Sequence, residues 1–316
     1  MAITSTIGTG GTAAAASVRE QLTGGKADVR GSVFRLLLLL SLGVSLAVLA
    51  VLFYDVGTTG AGVFSERAEA FLSGGLRTKA DAAGLFQAIR GTFWIGVFVV
   101  CFAFPIGLAS ALYLEEYAAK GRLARFLDIN IRNLAGVPSI VYGILGLTIF
   151  VKQLKGITGG QSVMAAGITL AILVLPIVII TSAEAIRAVP SSLREAGYGV
   201  GATRWEVTRT MVLPYALPGV ITGTVLALAR AIGEAAPLLL CGAVTGLLPG
   251  KDGLLDVSQL QDRFTALPIV IADWARTPRA GFDEIAAAAI IVMLAIVLVM
   301  NTIAIVARSH FEKKRK

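Results

Sequence analysis

Residues 192–214 read SLREAGYGVGATRWEVTRTMVLP, a basic and polar stretch set between two long apolar runs. Two helix-start signals follow one another in it: Ser192 has Glu195 at the third position after it, and Thr203 has Glu206. Each pair has the composition of a capping box, in which a hydroxyl and a carboxylate satisfy the orphan N–H groups of a helix start. Between the pairs stands Gly199-Val200-Gly201, and glycine readily ends a short helix and turns the chain. Pro214 is expected to interrupt the second helix or kink it into the next element. The local expectation is therefore helix, tight turn, helix, held at a membrane surface.

The rest of the chain supports that placement. Of its 316 residues 56% are hydrophobic and 15% charged, and the mean hydropathy is +0.79, whereas a soluble domain carries about 25% charged residues. The expected class is an all-α integral membrane protein with about six transmembrane helices. The runs are about Phe34–Tyr54, Thr92–Leu114, Leu134–Val151, Ser162–Ala183, Ala216–Gly242 and Ile285–Ala307. Gly57–Gln87 and Ala243–Asp283 read as polar loops. The net charge of +8 would suit nucleic acid, but Lys and Arg stand at the ends of apolar runs rather than in one patch, so membrane lipid and no nucleic acid is the partner expected. Placing the N-terminus inside puts more of the 28 Lys and Arg on the inner side, which makes both termini and Ser192–Pro214 cytoplasmic. Cys101 and Cys241 read as small buried hydrophobes. His310, the single histidine, lies in the charged tail, which argues against a histidine-based catalytic or metal site.

The fifth run holds the charges that cost most. Gly219, Gly223, Ala227, Ala231 and Ala235 recur every four residues, a small-residue ladder that lets another helix approach closely. Beside it Arg230 and Glu234 are one helical turn apart, so their side chains can meet. A charge at such depth costs at least about 2.5–3.5 kcal/mol. Two readings stand: a self-neutralised pair that fixes packing, or an element of a substrate path in which Arg230 binds an oxyanion transiently and Glu234 moderates its charge. Arg90, before the second run, is a further path candidate, although anchoring a helix end at the interface is the reading preferred for it. Pro105, Pro138, Pro176, Pro218 and Pro237 interrupt apolar runs, as bends in a path or as packing kinks.

The stretch also resembles the cytoplasmic loop of ABC importer permeases, of pattern E-A-A-x3-G-x9-I-x-L-P. Glu195, Ala196 and Gly197 stand at E-A-A, Gly201 at the glycine, Met211 at the isoleucine, and Leu213 and Pro214 at L-P. Gly197 for alanine and Met211 for isoleucine depart from the pattern. Three further stretches, Tyr113–Tyr117 (YLEEY), Asn133–Gly146 (NLAGVPSIVYGILG) and Ala227–Leu240 (ALARAIGEAAPLLL), resemble the phosphate-importer branch of that family, the PstA permease subunits. The resemblance implies a type I ABC importer permease fold in a bacterial inner (plasma) membrane, with residues 184–214 as the ATPase-coupling loop. It also implies a PstC-like permease partner, a PstB-like ATPase dimer and a PstS-like phosphate-binding protein. The domain expectation is a mobile tail over 1–31, a first helix and outer loop over 32–88, the permease domain over 89–308 and a basic tail over 309–316. No G-x-x-x-x-G-K-[ST] loop is present in the sequence, so no cofactor is expected on this chain, and ATP and Mg belong to the partner ATPase. Sulfate or molybdate in place of phosphate, and an ion-gradient-driven secondary transporter, are the alternatives.

Overall fold

The computed structural model describes residues 29–118, 121–245, 253–257 and 260–313. The expected tail over 1–31 lies almost wholly outside the described residues, as do Lys120 and residues 314–316. The chain divides into two units at Asp55/Val56. The described part of the first is the apolar stretch of helix α1 (Val29–Ser73), whose leucines and valines are exposed, as suits lipid contact.

In the second unit α1 runs on to Ser73, with non-helical angles at Arg67. This corrects the expected loop over Gly57–Gln87. Val63 and Phe71 are buried in a cluster with Trp274, Phe282 and Ile285, so helical spacing of apolar residues overrides the local glycines. Gly60 is there for closeness: a Cβ would lie 2.8 Å from the Ala288 backbone nitrogen. The Arg67 guanidinium donates to the carbonyls of Ala80, Asp81 and Ala83 and ties down the short loop that follows.

Helices α2 (Phe86–Leu112), α3 (Arg122–Ala135), α4 (Ser139–Gly146) and α5 (Val163–Arg187) come next. They are followed by α6 (Ser191–Gly199), α7 (Arg204–Val207), α8 (Leu213–Gly233), α9 (Ala236–Leu240), α10 (Leu267–Trp274) and α11 (Phe282–Lys313). No strand occurs among the described residues. Among the described residues five helices are long and apolar enough to cross a membrane, or six if α3 is counted as one span with α4 and the π-helical turn Leu147–Gln153. The bend of 97° falls at Pro138, one of the prolines expected to interrupt an apolar run. Pro138 caps α4 rather than kinking its middle, because the residue before a proline is pushed out of the helical region.

Helix α5 is the axis. It is apolar all round and buried on most of its faces, which is how a helix reads when neighbours surround it. The small-residue ladder of α8 meets α5: a Cβ on Gly219 would lie 2.8 Å from Ala185 Cβ, and one on Gly223 2.3 Å from Thr181 Oγ1. On the α2 side Gly107 meets Val178, and Gly167 meets Phe98, at similar closeness. In the NLAGVPSIVYGILG stretch, Gly143 abuts Pro237 and Leu240 of α9, Gly146 abuts Thr169 of α5, and the Tyr142 hydroxyl donates to Leu134 O at 2.9 Å across the bend. Pro105, Pro176 and Pro218 lie inside helices that continue through them, while Pro138 and Pro237 mark real breaks. Cys101 is exposed, against expectation, and Cys241 is buried beside Thr169.

Described residues of the expected outer loop Ala243–Asp283 pack against the helices. Its Phe264–Val270 segment is buried, Leu267 N–H donates to Thr92 Oγ1 at 2.9 Å, and Trp94 Nε1 donates to Leu254 O at 3.0 Å. Apolar residues hidden within a polar-looking stretch thus fold back onto the first turns of α2. At the other end α11 runs to Lys313, so most of the expected C-terminal tail is helix.

Candidate coupling elbow and anion path

The elbow is built from α6, a turn at Gly201 with φ +81°, and α7. Only glycine adopts that φ cheaply, which accounts for its place in the pattern. Of the two expected capping boxes one forms. The Thr203 hydroxyl accepts from Glu206 N–H at 3.3 Å, and Glu206 Oε2 accepts from Thr203 N–H at 2.7 Å. Ser192 makes no such cap. The α6 helix starts at Ser191, with Pro190 in the N-cap position and no side-chain cap. Pro214 does not interrupt anything: it sits in the first turn of α8, which runs on from α7 through the π-helical turn Thr208–Val212. The wider turn removes the carbonyl clash that a proline makes inside an α-helix.

Ser192, Glu195, Ala196, Gly201, Thr203, Glu206 and Pro214 are exposed, Leu213 is half-buried and Gly197 is buried. The two departures from the pattern meet in space. A Cβ on Gly197 would lie 2.9 Å from Met211 Sδ and 2.7 Å from Val207 Cγ2, so the glycine makes room for the longer methionine. Tyr198, Val200 and Trp205 stand outward on the elbow, with Val200 82% exposed.

Sequence reasoning missed what holds the elbow down. Helix α2 ends in the π-helical turn Tyr113–Tyr117, the YLEEY stretch. Glu115 pairs with Arg187 at the end of α5, Glu116 pairs with Arg194 of α6, and the Arg204 guanidinium lies over the Tyr117 ring at 5.2 Å. Two adjacent acids at the end of an apolar run, in a chain with a basic elbow, were the signal available.

Thr203 N–H and its hydroxyl both donate to Glu206 and hold its carboxyl below the usual carboxylate range. A carboxylate with a depressed folded value stabilises above its unfolded value and ceases to do so as pH falls through the folded one. The start of α7 is therefore expected to loosen on acidification below the ordinary carboxylate range. Thr203→Ala is expected to speed amide exchange there roughly five-fold at neutral pH, the effect of a lost N-cap; hydrogen exchange at residues 204–207 measures both.

At the far end of α8 stand Arg230 and Glu234. The helix stops at Gly233, and Glu234 has extended angles, so the pair closes a helix end rather than lying within a continuous fifth span. Arg230 Nε and Glu234 Oε1 are 3.6 Å apart, with side chains 54% and 20% exposed. At that separation the contact is an ion pair rather than a hydrogen bond. The guanidinium fork faces largely outward and can donate to an oxyanion in its plane. Arg90, in the second turn of α2, lines a different polar recess with Gln87, Trp94, Asp256, Arg263 and Thr265. Lys152, Lys155 and Arg263 line a second recess beside it.

Comparison with known proteins identifies the family. Residues 103–316 match the family model described as binding-protein-dependent transport system inner membrane component. The chain is 31% identical to the phosphate transport system permease protein PstA 1 of Mycobacterium tuberculosis, over 77% of this chain and 75% of that one. It is 33% identical to PstA of Yersinia pestis, over 73% and 74%. Among solved structures, a bacterial alginate ABC transporter in complex with its periplasmic protein superposes with a TM-score of 0.62 at 16% identity, covering 87% of this chain and 93% of that one; this likeness speaks for the fold. The chain belongs to the family of binding-protein-dependent ABC importer permeases, multi-pass membrane transport subunits of the type I fold.

Proposed function

We propose that this chain is the permease subunit of an ATP-driven importer of inorganic phosphate, supplying half of the path and receiving force from a separate ATPase. The observation that carries the reading is the elbow: a capped, turned segment, anchored from behind, that presents Tyr198, Val200 and Trp205 away from the bundle. Exposed aromatic and apolar residues on a polar surface suit a protein interface. Ser192, Glu195, Ala196, Gly197, Gly201, Thr203, Glu206, Leu213 and Pro214 form or frame that interface, with both termini and the elbow on the cytoplasmic side of a bacterial inner membrane. A PstB-like dimer binds ATP and Mg there, a PstC-like subunit completes the path, and a PstS-like protein delivers the anion outside. Phosphate is supported by the names of the relatives and by a guanidinium placed to bind oxyanions transiently. An ATPase that closes on ATP biases the path only through contacts that differ between its two states.

The test is co-expression with candidate ATPase and permease partners, followed by uptake of phosphate and sulfate measured side by side in proteoliposomes. ATP-dependent uptake of phosphate in preference to sulfate is expected. Preference for sulfate or molybdate would reassign the anion. Uptake driven by an ion gradient without the ATPase would overturn the reading.

A further inference from the structure

We propose that the π-helical turn Tyr113–Tyr117 is the seat through which the elbow drives α2, with Glu116 and Arg194 as its pin; this rests on the coupling role given to the elbow above. The elbow has one obvious mechanical output. Helix α7 runs through the Thr208–Val212 turn into α8 without a break, so movement of the elbow moves α8 and Arg230 at its far end. Nothing in the chain's connectivity gives it a second output, because α2 is separated from the elbow by α3, α4, the short helix Lys155–Thr158 and α5 in sequence.

The side chains supply one. Arg194 Nε and Nη2 both donate to Glu116 Oε1, at 3.1 and 2.8 Å. The same guanidinium donates through Nη1 to Val189 O at 2.6 Å and through Nη2 to Ile186 O at 2.9 Å. One side chain thus joins α6, the end of α5 and the end of α2. Glu116 is 5% exposed, and a buried carboxylate deprived of its partner is strongly disfavoured, so the contact resists parting when the elbow is pushed. Glu115 with Arg187, and Tyr117 with Arg204, flank the pin. Beneath it Ala111, Ile186, Val189, Val207, Val212 and Ala216 form one buried apolar cluster, and packed clusters of this kind move as bodies rather than deform. Glu116 and Arg194 act here as positioning residues. Through them the elbow holds both helices that carry Arg90 and Arg230 at their opposite ends. A π-turn at this place fits, since such turns recur at functional points of long helices.

The experiment uses the assembled transporter in proteoliposomes and reads anion transported per ATP hydrolysed, beside co-purification of the ATPase. Glu116→Gln is expected to assemble and hydrolyse ATP, while transport per ATP falls at least about five-fold, the low end of an allosteric coupling. Wild-type transport per ATP in an assembled Glu116→Gln complex overturns the proposal. If Glu116→Gln does not assemble, the double variant Glu115→Gln/Tyr117→Leu decides. It removes only the flanking contacts: transport per ATP reduced two-fold or more, roughly the effect of a partial loss of coupling, supports the seat, and unchanged transport per ATP overturns it. Glu195→Lys separates the two ideas. It alters the outward face alone, so retained ATPase capture and stimulation in that variant would count against the elbow's coupling role itself, whatever Glu116 does.

Discussion

Arg230→Gln is expected to lower uptake roughly 10- to 100-fold, the loss of charge-assisted hydrogen bonds to an anion, while leaving assembly and ATPase binding intact. The guanidinium is half-exposed and its ion pair with Glu234 is long, so the fold gains little from it. Glutamine keeps a polar amide on a shorter stem and loses the charge and the fork. The partner residue predicts the opposite pattern. Glu234→Gln leaves Arg230 without its competing carboxylate, so the anion should bind more tightly and leave more slowly. Half-saturation should fall together with maximal rate. Initial-rate uptake against phosphate concentration in proteoliposomes distinguishes the two. If Arg230→Gln transports normally at normal expression, the pair serves packing alone.

Gly223→Val is expected to destabilise the bundle by about 3 kcal/mol or more, the upper range for overpacking a filled core. An added Cβ would lie 2.3 Å from Thr181 Oγ1 and 2.5 Å from Thr181 Cβ. The obstruction is the root of a β-branched side chain, not its flexible end, and cannot swing away. Helices α8 and α5 would have to separate along the ladder that includes Gly219. A lower melting temperature in detergent and poor yield are the readouts. Exchanging the small residue across the interface, Gly223→Ala with Thr181→Gly, should recover much of the loss. Gly62→Ala is the control: nothing lies within 4 Å of its added Cβ, and alanine in an exposed helix position gains about 1 kcal/mol of propensity. Equal behaviour of Gly223→Val and Gly62→Ala would refute the close approach.

Particular elements show where reading a sequence succeeds and stops. Apolar runs long enough to span a bilayer, the glycine at 201, the Thr203–Glu206 box and the ladder on α8 were legible, because each follows from local rules of hydropathy, backbone freedom or helical period. The same rules misjudged residues 57–73, where Gly60, needed for contact with α11, and the glycines near it looked like loop signals. They also misjudged Pro214, since a π-turn absorbs a proline without any mark in the composition.

By itself, then, the sequence determined an all-α membrane-spanning chain with a polar elbow and a costly Arg–Glu pair, because bilayer thickness and helix periodicity act on neighbouring residues. Only the tertiary structure decided how sharply the chain turns at Pro138, that the segment around Leu267 clasps α2, and that Glu116 holds Arg194. Those are contacts between residues far apart in the chain, and their partners are chosen by packing and by the need to satisfy buried charge, which no local pattern records.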